Sequence, residues 1–259
     1  MIEVKLIADS ISGTSRLTTL ECKFHRFILP EVNTYRMWSR SAASSRAIPV
    51  SRKIEEVRKD PAMPSKFGLN KKGMVSGRAL EGEELQKAQL VWLESSIVSA
   101  NYAEELATLG VAKEITNRIL EPYSWHTSVI TATDFSNCFA QRIPEESGAQ
   151  NEFQILATRM RDAMNESVPV QVPEGGWHLP YITEEEILTY NVEDLKMASV
   201  ARVARTSYLN SSSSIQSDIE LYSRLISATP PHLAPFEMIA TPGQGSGNFE
   251  GWIQLRHMV

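Results

Sequence analysis

The sequence predicts an α/β fold, because two kinds of apolar periodicity occur along the same chain. Residues 3–8 and 17–24 alternate apolar and polar side chains with a period of two, which is typical of strands with one buried face. Further along, apolar residues recur at helical spacing in four segments, near residues 83–109, 149–165, 192–204 and 217–228. With 259 residues, 42% of them hydrophobic, the chain is long enough to bury a substantial core.

The predicted helices carry recognisable faces and stops. Over residues 83–109 the apolar positions keep helical spacing, and Gly110 is a plausible C-terminal stop. The positions on that face are Leu85, Ala88, Trp92, Ser95, Ser99, Tyr102 and Leu106. A shorter helix is expected over residues 112–120, closed by Pro122, and residues 129–133 then form a β-rich run. The helix over residues 149–165 places on one face Phe153, Leu156, Ala157, Met160 and Met164.

Other segments lack a sustained period. Residues 50–82 are rich in Lys, Gly, Pro and Met, which predicts an excursion over the surface or across an active site, and residues 167–190 form a second excursion. Within the second, His178 has no evident partner and is expected in a loop, while residues 184–186 are expected at a solvated helix start. Residues 210–214 are expected to form a polar loop.

Charge and composition exclude several classes of partner. The net charge is −5 and the basic residues are scattered, so we expect no binding to long nucleic acid. We find no apolar run that could cross a bilayer and no signal-peptide pattern, so we expect a cytoplasmic protein without membrane contact. Cys22 and Cys138 lie far apart in no metal-ligand spacing, so we expect both thiols to be reduced and buried, with no metal site.

The segment from Tyr35 to Arg46 combines arginine and serine side chains without an acidic residue. A guanidinium group offers a planar fork of donors that matches phosphate oxygens, and serine hydroxyls and backbone N–H groups complete such a site. Segments of this composition are also common as solvated loops. The functional interpretation is that this segment binds a nucleotide phosphate.

This segment also resembles the signature of the flavin-dependent thymidylate synthases, especially the rearranged bacteriophage type. That signature reads Arg-His-Arg, two residues, Ser, one residue, Asn-Glu, one residue, Ser, one residue, Arg. At the same spacing this chain matches with Arg36, Ser39, Ser44 and Arg46. Residues 110–120 resemble the family's Gly-Val-x-x-Glu helix, and residues 137–152 resemble its Leu-Arg…Ala-Gln-x-Glu segment.

Two further segments match in an unusual order. Residues 204–208 (Ala-Arg-Thr-Ser-Tyr) and 232–237 (His-Leu-Ala-Pro-Phe-Glu) are similar to segments that open the usual family sequence, but here they come last. A circular permutation of the same fold would explain this order, since neighbouring surface termini tolerate such rearrangement. The resemblance implies one domain over residues 1–259, with a mainly antiparallel sheet flanked by helices, and a homotetramer.

The resemblance also implies a reaction and its participants. It implies reductive methylation of dUMP to dTMP at pyrimidine carbon 5, with FAD as cofactor and with NADPH and methylenetetrahydrofolate as co-substrates. The implied catalytic residues are Arg142 and Ser44, where Arg142 stabilises charge on the pyrimidine. The implied substrate contacts are Ser44, Ser45, Arg46, Arg118 and Arg142. The implied flavin contacts, or residues that support them, are Arg36, Ser39, Ser41, Asn137, Ser207 and Glu237.

The chain departs from the family pattern at several of these positions. Thr34 and Tyr35 replace the Arg-His pair, Ser41 and Ala42 replace Asn-Glu, and Met238 stands where a histidine is expected. Base recognition could therefore differ, because exchanged donors and acceptors are what distinguish dUMP from dCMP.

Several alternatives follow from these departures. One is an enzyme that acts on dCMP or hydroxymethylates the base for phage DNA modification. Another is a non-catalytic nucleotide-binding protein. For Arg142 itself, the alternative to catalysis is a cation that satisfies carbonyls at a helix end.

Overall fold

The computed structural model describes residues 1–208 and 214–259, and its centre is a five-stranded sheet. The strands, in chain order, are β1 (Glu3–Ser12), β2 (Ser15–His25), β3 (Ser39–Ala42), β4 (Trp125–Ala132) and β5 (Val170–Gln171). They are arranged β3-β4-β2-β1-β5, and every pairing is antiparallel except β1 with β5. The predicted α/β fold with a mainly antiparallel sheet is confirmed. A small antiparallel pair forms from β6 (Ala240–Pro242) and β7 (Trp252–Gln254).

Helices surround this sheet. They are α1 (Leu29–Val32), α2 (Val50–Lys59), α3 (Gly82–Thr108), α4 (Lys113–Thr116), α5 (Ser136–Arg142), α6 (Asn151–Asn165), α7 (Glu184–Thr189), α8 (Val192–Arg205) and α9 (Ile215–Ser227). In the described parts of the chain, none of them combines the length and apolar character needed to span a membrane.

The first two strands form a hairpin whose alternation matches the prediction. Gly13 has φ +58°, in the left-handed region that a tight turn between twisted strands requires. From β2, Leu20, Cys22 and Phe24 point to one face and are fully buried. They pack with α6, whose Phe153 and Met160 are also fully buried, so the predicted apolar face of this helix is confirmed.

The opposite face of the sheet is covered by the C-terminal part of the chain. His178, expected in a loop, is instead fully buried, with Nδ1 2.8 Å from Ser10 Oγ and Nε2 2.8 Å from Thr19 Oγ1. Its backbone N–H also donates to the carbonyl of Ala240. The prediction of an unpartnered loop histidine is wrong, because this histidine joins strands that are more than 150 residues away in sequence.

The segment over residues 50–82 is partly helical, which its composition did not predict. The helix α2 buries Ile54 and Val57 against α3, and an irregular loop follows from Asp60 to Glu81. In that loop, the backbone N–H of Ser65 donates to the buried carboxylate of Glu152 at 2.7 Å. Residues 50–82 therefore contact the core through α2 and Ser65, and residues 167–190 contact it through His178.

The longest predicted helix is confirmed as α3, and Gly110 has φ +78° just beyond it. The face of α3 that packs on the protein is built from small residues, Ser96, Ala100 and Ala103. Tyr102 was expected on the packed face but is 59% exposed, because the contact surface lies over these neighbouring small residues.

Candidate functional site

The segment that carries the predicted phosphate site lies directly after β3 and forms a tight turn. The carbonyl of Ser44 accepts hydrogen bonds from the backbone N–H groups of Ala47 at 2.9 Å and Ile48 at 3.1 Å. The Ser44 hydroxyl accepts from the backbone N–H of Arg46 at 3.3 Å. These contacts turn the chain so that Arg46 points outward, with its side chain 72% exposed.

Arg46 keeps most of its donor capacity. Its guanidinium forms a long ion pair, with Nε 3.4 Å from Glu114 Oε2, and both side chains are largely exposed. Exposed pairs of this kind contribute little stability. The guanidinium is therefore held in place weakly, and its terminal amino groups can meet an anion.

Ser45 and Arg118 converge on one carboxylate. The Ser45 hydroxyl donates to Glu121 Oε1 at 2.8 Å, and Arg118 Nη1 donates to the same oxygen at 2.8 Å. Arg26 Nη2 donates to it as well, at 3.2 Å. The amide of Asn117 donates to the carbonyls of Ser45 and Ile48 from below. Glu121 thus anchors the Ser44–Arg46 turn to the 3₁₀ segment Asn117–Tyr123.

A buried histidine lies beneath this turn. His126 Nδ1 accepts from Arg26 Nη1 at 2.9 Å, and burial, together with Arg26 and Lys53, lowers the pKa of His126 to about 3. Among the described residues, its Nε2 and the Oδ1 of Asn117 lack hydrogen-bond partners, and both residues line a small cavity of about 10 Å³. This lowered pKa keeps His126 neutral at physiological pH.

Arg142 lies elsewhere, in the last turn of α5, among aromatic rings. Its Nε donates to the Tyr35 hydroxyl at 2.9 Å, and its guanidinium carbon lies 5.0 Å from the centroid of Phe153. None of the carboxylates in the described ranges forms an ion pair with it. Burial raises the pKa of the neighbouring Cys138 thiol to about 12, so that thiol is neutral.

Most residues assigned to the flavin are engaged in bonds within the protein. Ser39 Oγ accepts hydrogen bonds from the side chains of Asn248 and Gln254. Ser41 Oγ donates to the carbonyl of Val203, and Ser207 Oγ donates to the carbonyl of Ala42. Glu237 forms an ion pair with Arg256. Met238 is fully buried in the core. Arg36 and Asn137 are exposed. The three serine hydroxyls therefore join β3 to α8, to the residues after it and to the C-terminal segment, and they are used within the chain.

The candidate substrate residues fall into two groups. The first group lies at the end of β3 that pairs with Ser128 and consists of Ser44, Ser45, Arg46 and Arg118. The second is Arg142, which contacts Tyr35 near the other end of β3. Arg46 therefore lies in the turn after β3, and Arg142 lies in the last turn of α5.

Comparison with known proteins supports the fold. No family model matches the chain, and no curated protein matches it in sequence. The structure of the UMP/dUMP methylase PolB from Streptomyces cacaoi bound with 5-Br dUMP matches with a TM-score of 0.51 at 15% identity. The match covers 63% of this chain and 89% of PolB. This chain shares its fold with PolB.

Two further structures are similar to a smaller extent. PolB bound with 5-Br UMP gives a TM-score of 0.49 at 16% identity, covering 63% of this chain and 88% of that one. Thymidylate Synthase X (ThyX) from Helicobacter pylori with FAD and dUMP gives a TM-score of 0.38 at 20% identity, covering 57% of this chain and 67% of that one.

A further cavity of about 790 Å³ lies between the outer face of the sheet and the helices α7 to α9. The residues assigned from the sequence do not line it. Several of its charged groups are paired, for example Lys5 with Glu21 and Lys23 with Glu3 across the hairpin. Tyr181, at its wall, has φ 65° and donates to Glu21 at 2.7 Å. In the described ranges, no three His, Cys, Asp or Glu side chains are placed to hold a metal ion.

Sequence reasoning missed two residues that organise the candidate site. Glu121 follows Arg118 by three residues, a spacing that allows an ion pair on a helical turn, and this was the available signal. Tyr35 was noted only as a departure from the family pattern. Its contact with Arg142, 107 residues away, has no local signal in the sequence.

Proposed function

We propose that the protein transfers a methyl group to carbon 5 of the pyrimidine of dUMP. The observation that carries this proposal is the fold shared with PolB, a UMP/dUMP methylase, over 89% of that chain. Two guanidinium groups support it, those of Arg46 and Arg142, because their terminal amino groups have no hydrogen-bond partner among the described residues. UMP is a second substrate of the same class to be tested.

In this proposal the Ser44–Arg46 turn binds the phosphate. The terminal amino groups of Arg46 bind phosphate oxygens in a bidentate manner, and the Glu121 anchor keeps the turn in shape before binding. Preorganisation of this kind lowers the entropy lost when the nucleotide binds.

Arg142 acts on the base. Its charged amino groups lie beside apolar rings, where a hydrogen bond to a developing negative charge on the pyrimidine oxygen is stronger than in water. Neither cysteine serves as a nucleophile, since burial raises the pKa of both thiols and keeps them protonated.

The sequence resemblance implies sites that are built between the subunits of a homotetramer. We propose a homotetramer in which one subunit supplies the Ser44–Arg46 turn and another supplies Arg142.

Mixing two inactive variants tests the shared site. Arg46→Ala and Arg142→Ala, unfolded together and refolded, form mixed pairs in which one site has both arginines intact. Random pairing restores about a quarter of wild-type activity, because half of the pairs are mixed and each has one intact site of two. Refolding each variant alone is the control. No recovery in the mixture would place both arginines in one subunit's site or outside the site.

A flavin cofactor, with NADPH and methylenetetrahydrofolate as co-substrates, belongs to the proposal through the sequence resemblance. Arg36 and Asn137 are exposed and able to contact a flavin, but the other assigned residues are bonded internally. No step is therefore derived through the flavin. The visible absorbance of the purified protein, before and after addition of FAD, tests this part.

The internal bonds of Ser39, Ser41 and Ser207 favour one alternative, a nucleotide-binding protein without catalysis. A panel of dUMP, UMP and dCMP, assayed for binding and for methylated or hydroxymethylated product, separates the possibilities. Binding of dUMP with turnover supports the proposed enzyme. Binding without turnover in the presence of FAD, NADPH and methylenetetrahydrofolate supports the non-catalytic alternative.

A further inference from the structure

Tyr35 occupies the position at which the signature of the flavin-dependent thymidylate synthases has histidine. The residues around Tyr35 hold its ring in one orientation. The ring stacks on Trp38 at 4.8 Å with an interplanar angle of 20°, and it meets Phe153 edge to face at 5.7 Å. Trp38 is itself buried against Phe135. Aromatic pairs of this geometry contribute beyond the area they bury. The tyrosine hydroxyl therefore has a well-defined position.

That hydroxyl determines the direction of Arg142. It accepts from Nε at 2.9 Å, and the guanidinium carbon lies 5.5 Å from the Tyr35 ring and 5.0 Å from the Phe153 ring. Of the hydrogen bonds found in the described ranges, this one alone involves the Arg142 guanidinium. Its two terminal amino groups consequently remain as a donor pair, partly exposed, with no acidic partner in the described ranges.

A guanidinium fixed through Nε, with both terminal groups unused, is suited to bind an oxygen acceptor with little loss of side-chain entropy. We propose that Tyr35 is a positioning residue that presents the Arg142 donor pair to the carbonyl oxygen of a uracil nucleotide. This inference rests on the proposed function, and it assigns a role to the departure from the family's histidine.

The tyrosine also differs from a histidine in its chemistry. Burial and the neighbouring Cys138 raise the pKa of Tyr35, so the neutral phenol persists across the physiological range and can always accept from Arg142. A histidine would lose its free acceptor on protonation near pH 6.5 and repel the guanidinium. Two charged or titratable groups beside Tyr35 come from α5, namely Arg142 and Cys138. A third is Arg40 of β3, which donates a hydrogen bond to the carbonyl of Tyr35.

Three variants test the proposal. Tyr35→Phe removes the hydroxyl and keeps the ring, Tyr35→His introduces the family residue, and Tyr222→Phe is the control, since it removes a half-buried hydroxyl outside this cluster. The first measurement is the Nε–Hε NMR signal of Arg142 in the nucleotide-free protein, assigned with Arg142→Lys. The second is the dissociation constant of dUMP by calorimetry.

In Tyr35→Phe we expect the Arg142 signal to shift and its exchange with water to accelerate. We expect dUMP affinity to fall about tenfold, as for loss of one charge-assisted contact. Tyr35→His should bind with wild-type-like affinity at pH 8 and progressively more weakly below about pH 6.5, relative to wild type at each pH. Tyr222→Phe should match wild type in both measurements.

The two measurements separate the possible failures. An unchanged Arg142 signal in Tyr35→Phe would show that Tyr35 does not hold the guanidinium, which overturns the inference. A changed signal with unchanged dUMP affinity would show that the held Arg142 does not meet the nucleotide, which also overturns it. If wild-type protein binds no dUMP or UMP, the proposed function fails, and the NMR signal still decides the contact between Tyr35 and Arg142.

Discussion

Arg46 and Arg142 depend on their surroundings to very different degrees. Arg46 is oriented by a local turn of four residues and is exposed, so sequence reasoning could anticipate its availability. Arg142 is oriented by Tyr35, which lies 107 residues away, and no local sequence pattern predicts this contact. At the scale of single residues, the sequence therefore indicates which side chains have the chemistry to bind an anion. It indicates less well which of them the fold leaves available for binding.

Because a local turn positions Arg46, a conservative substitution at this residue tests phosphate binding without disturbing distant contacts. Arg46→Lys should weaken dUMP binding about tenfold, because the ammonium group cannot reproduce two parallel hydrogen bonds to a phosphate. Calorimetric titration measures the change, and Arg224→Lys, an exposed site on α9, is the matched control. Equal affinities of Arg46→Lys and wild type would remove Arg46 from the phosphate site.

The cysteines provide a second test at this scale. Cys22→Ala and Cys138→Ala should retain turnover, since both thiols are buried and protonated. Arg142→Ala should lose on the order of a hundred- to a thousandfold in rate, as for loss of an oxyanion donor. Single-turnover assays on folded protein measure both effects. Abolished product formation in Cys138→Ala would instead indicate a thiolate mechanism.

At the scale of elements, buried charges connect the C-terminal helices. Arg202 of α8 forms two hydrogen bonds to Glu186 of α7 and contacts Asp218 of α9 at 2.9 Å. Asp218 is fully buried and also pairs with Arg205. Residues 184–186 were expected to be solvated, but Glu186 is held in this cluster, and the Arg202 contact lowers the pKa of Glu186 to about 2.

Removing the central cation should loosen this connection. Arg202→Met should lower the free energy of unfolding by about 3 kcal/mol, because two carboxylates lose a buried partner. Urea denaturation measures this value. Arg58→Met breaks an exposed pair with Glu104 and should change it by less than about 1 kcal/mol. A loss of similar size in both variants would mean that the buried cluster contributes no more than a surface pair.

At the scale of the whole molecule, neutral buried histidines couple the fold to pH. Burial lowers the pKa of His178 and of His126 to about 3, against about 6.5 in an unfolded chain. Between these values the unfolded state binds more protons, so the stability contributed by neutral burial is complete above pH 6.5 and is lost as the pH falls toward 3.

The free energy of unfolding should therefore decrease below pH 6.5, by about 1.4 kcal/mol per pH unit for each of these histidines. Urea denaturation between pH 7 and 5 measures the slope above the range in which Glu186 titrates. His178→Gln should reduce the slope by one histidine's share even if it lowers stability at pH 7. A slope that is unchanged in this variant would show that His178 is not neutral and buried.

Elements with local signals could be predicted from the amino-acid sequence. The alternating hairpin, the helices α3, α6, α8 and α9, and the exposed arginine of the Ser44–Arg46 turn follow from periodicity, turn residues and side-chain chemistry within short windows. The polar loop expected over residues 210–214 lies almost entirely outside the described residues.

The pairing of polar groups across the chain became visible in the three-dimensional fold. His178 became a core residue, Ser39 and Ser41 were bonded to the C-terminal segment, and Arg142 came to lie against Tyr35. The physical reason is that burial requires each polar group to find a partner, and here the partners lie many residues away. A window of sequence contains the groups that need partners but not the contacts that satisfy them.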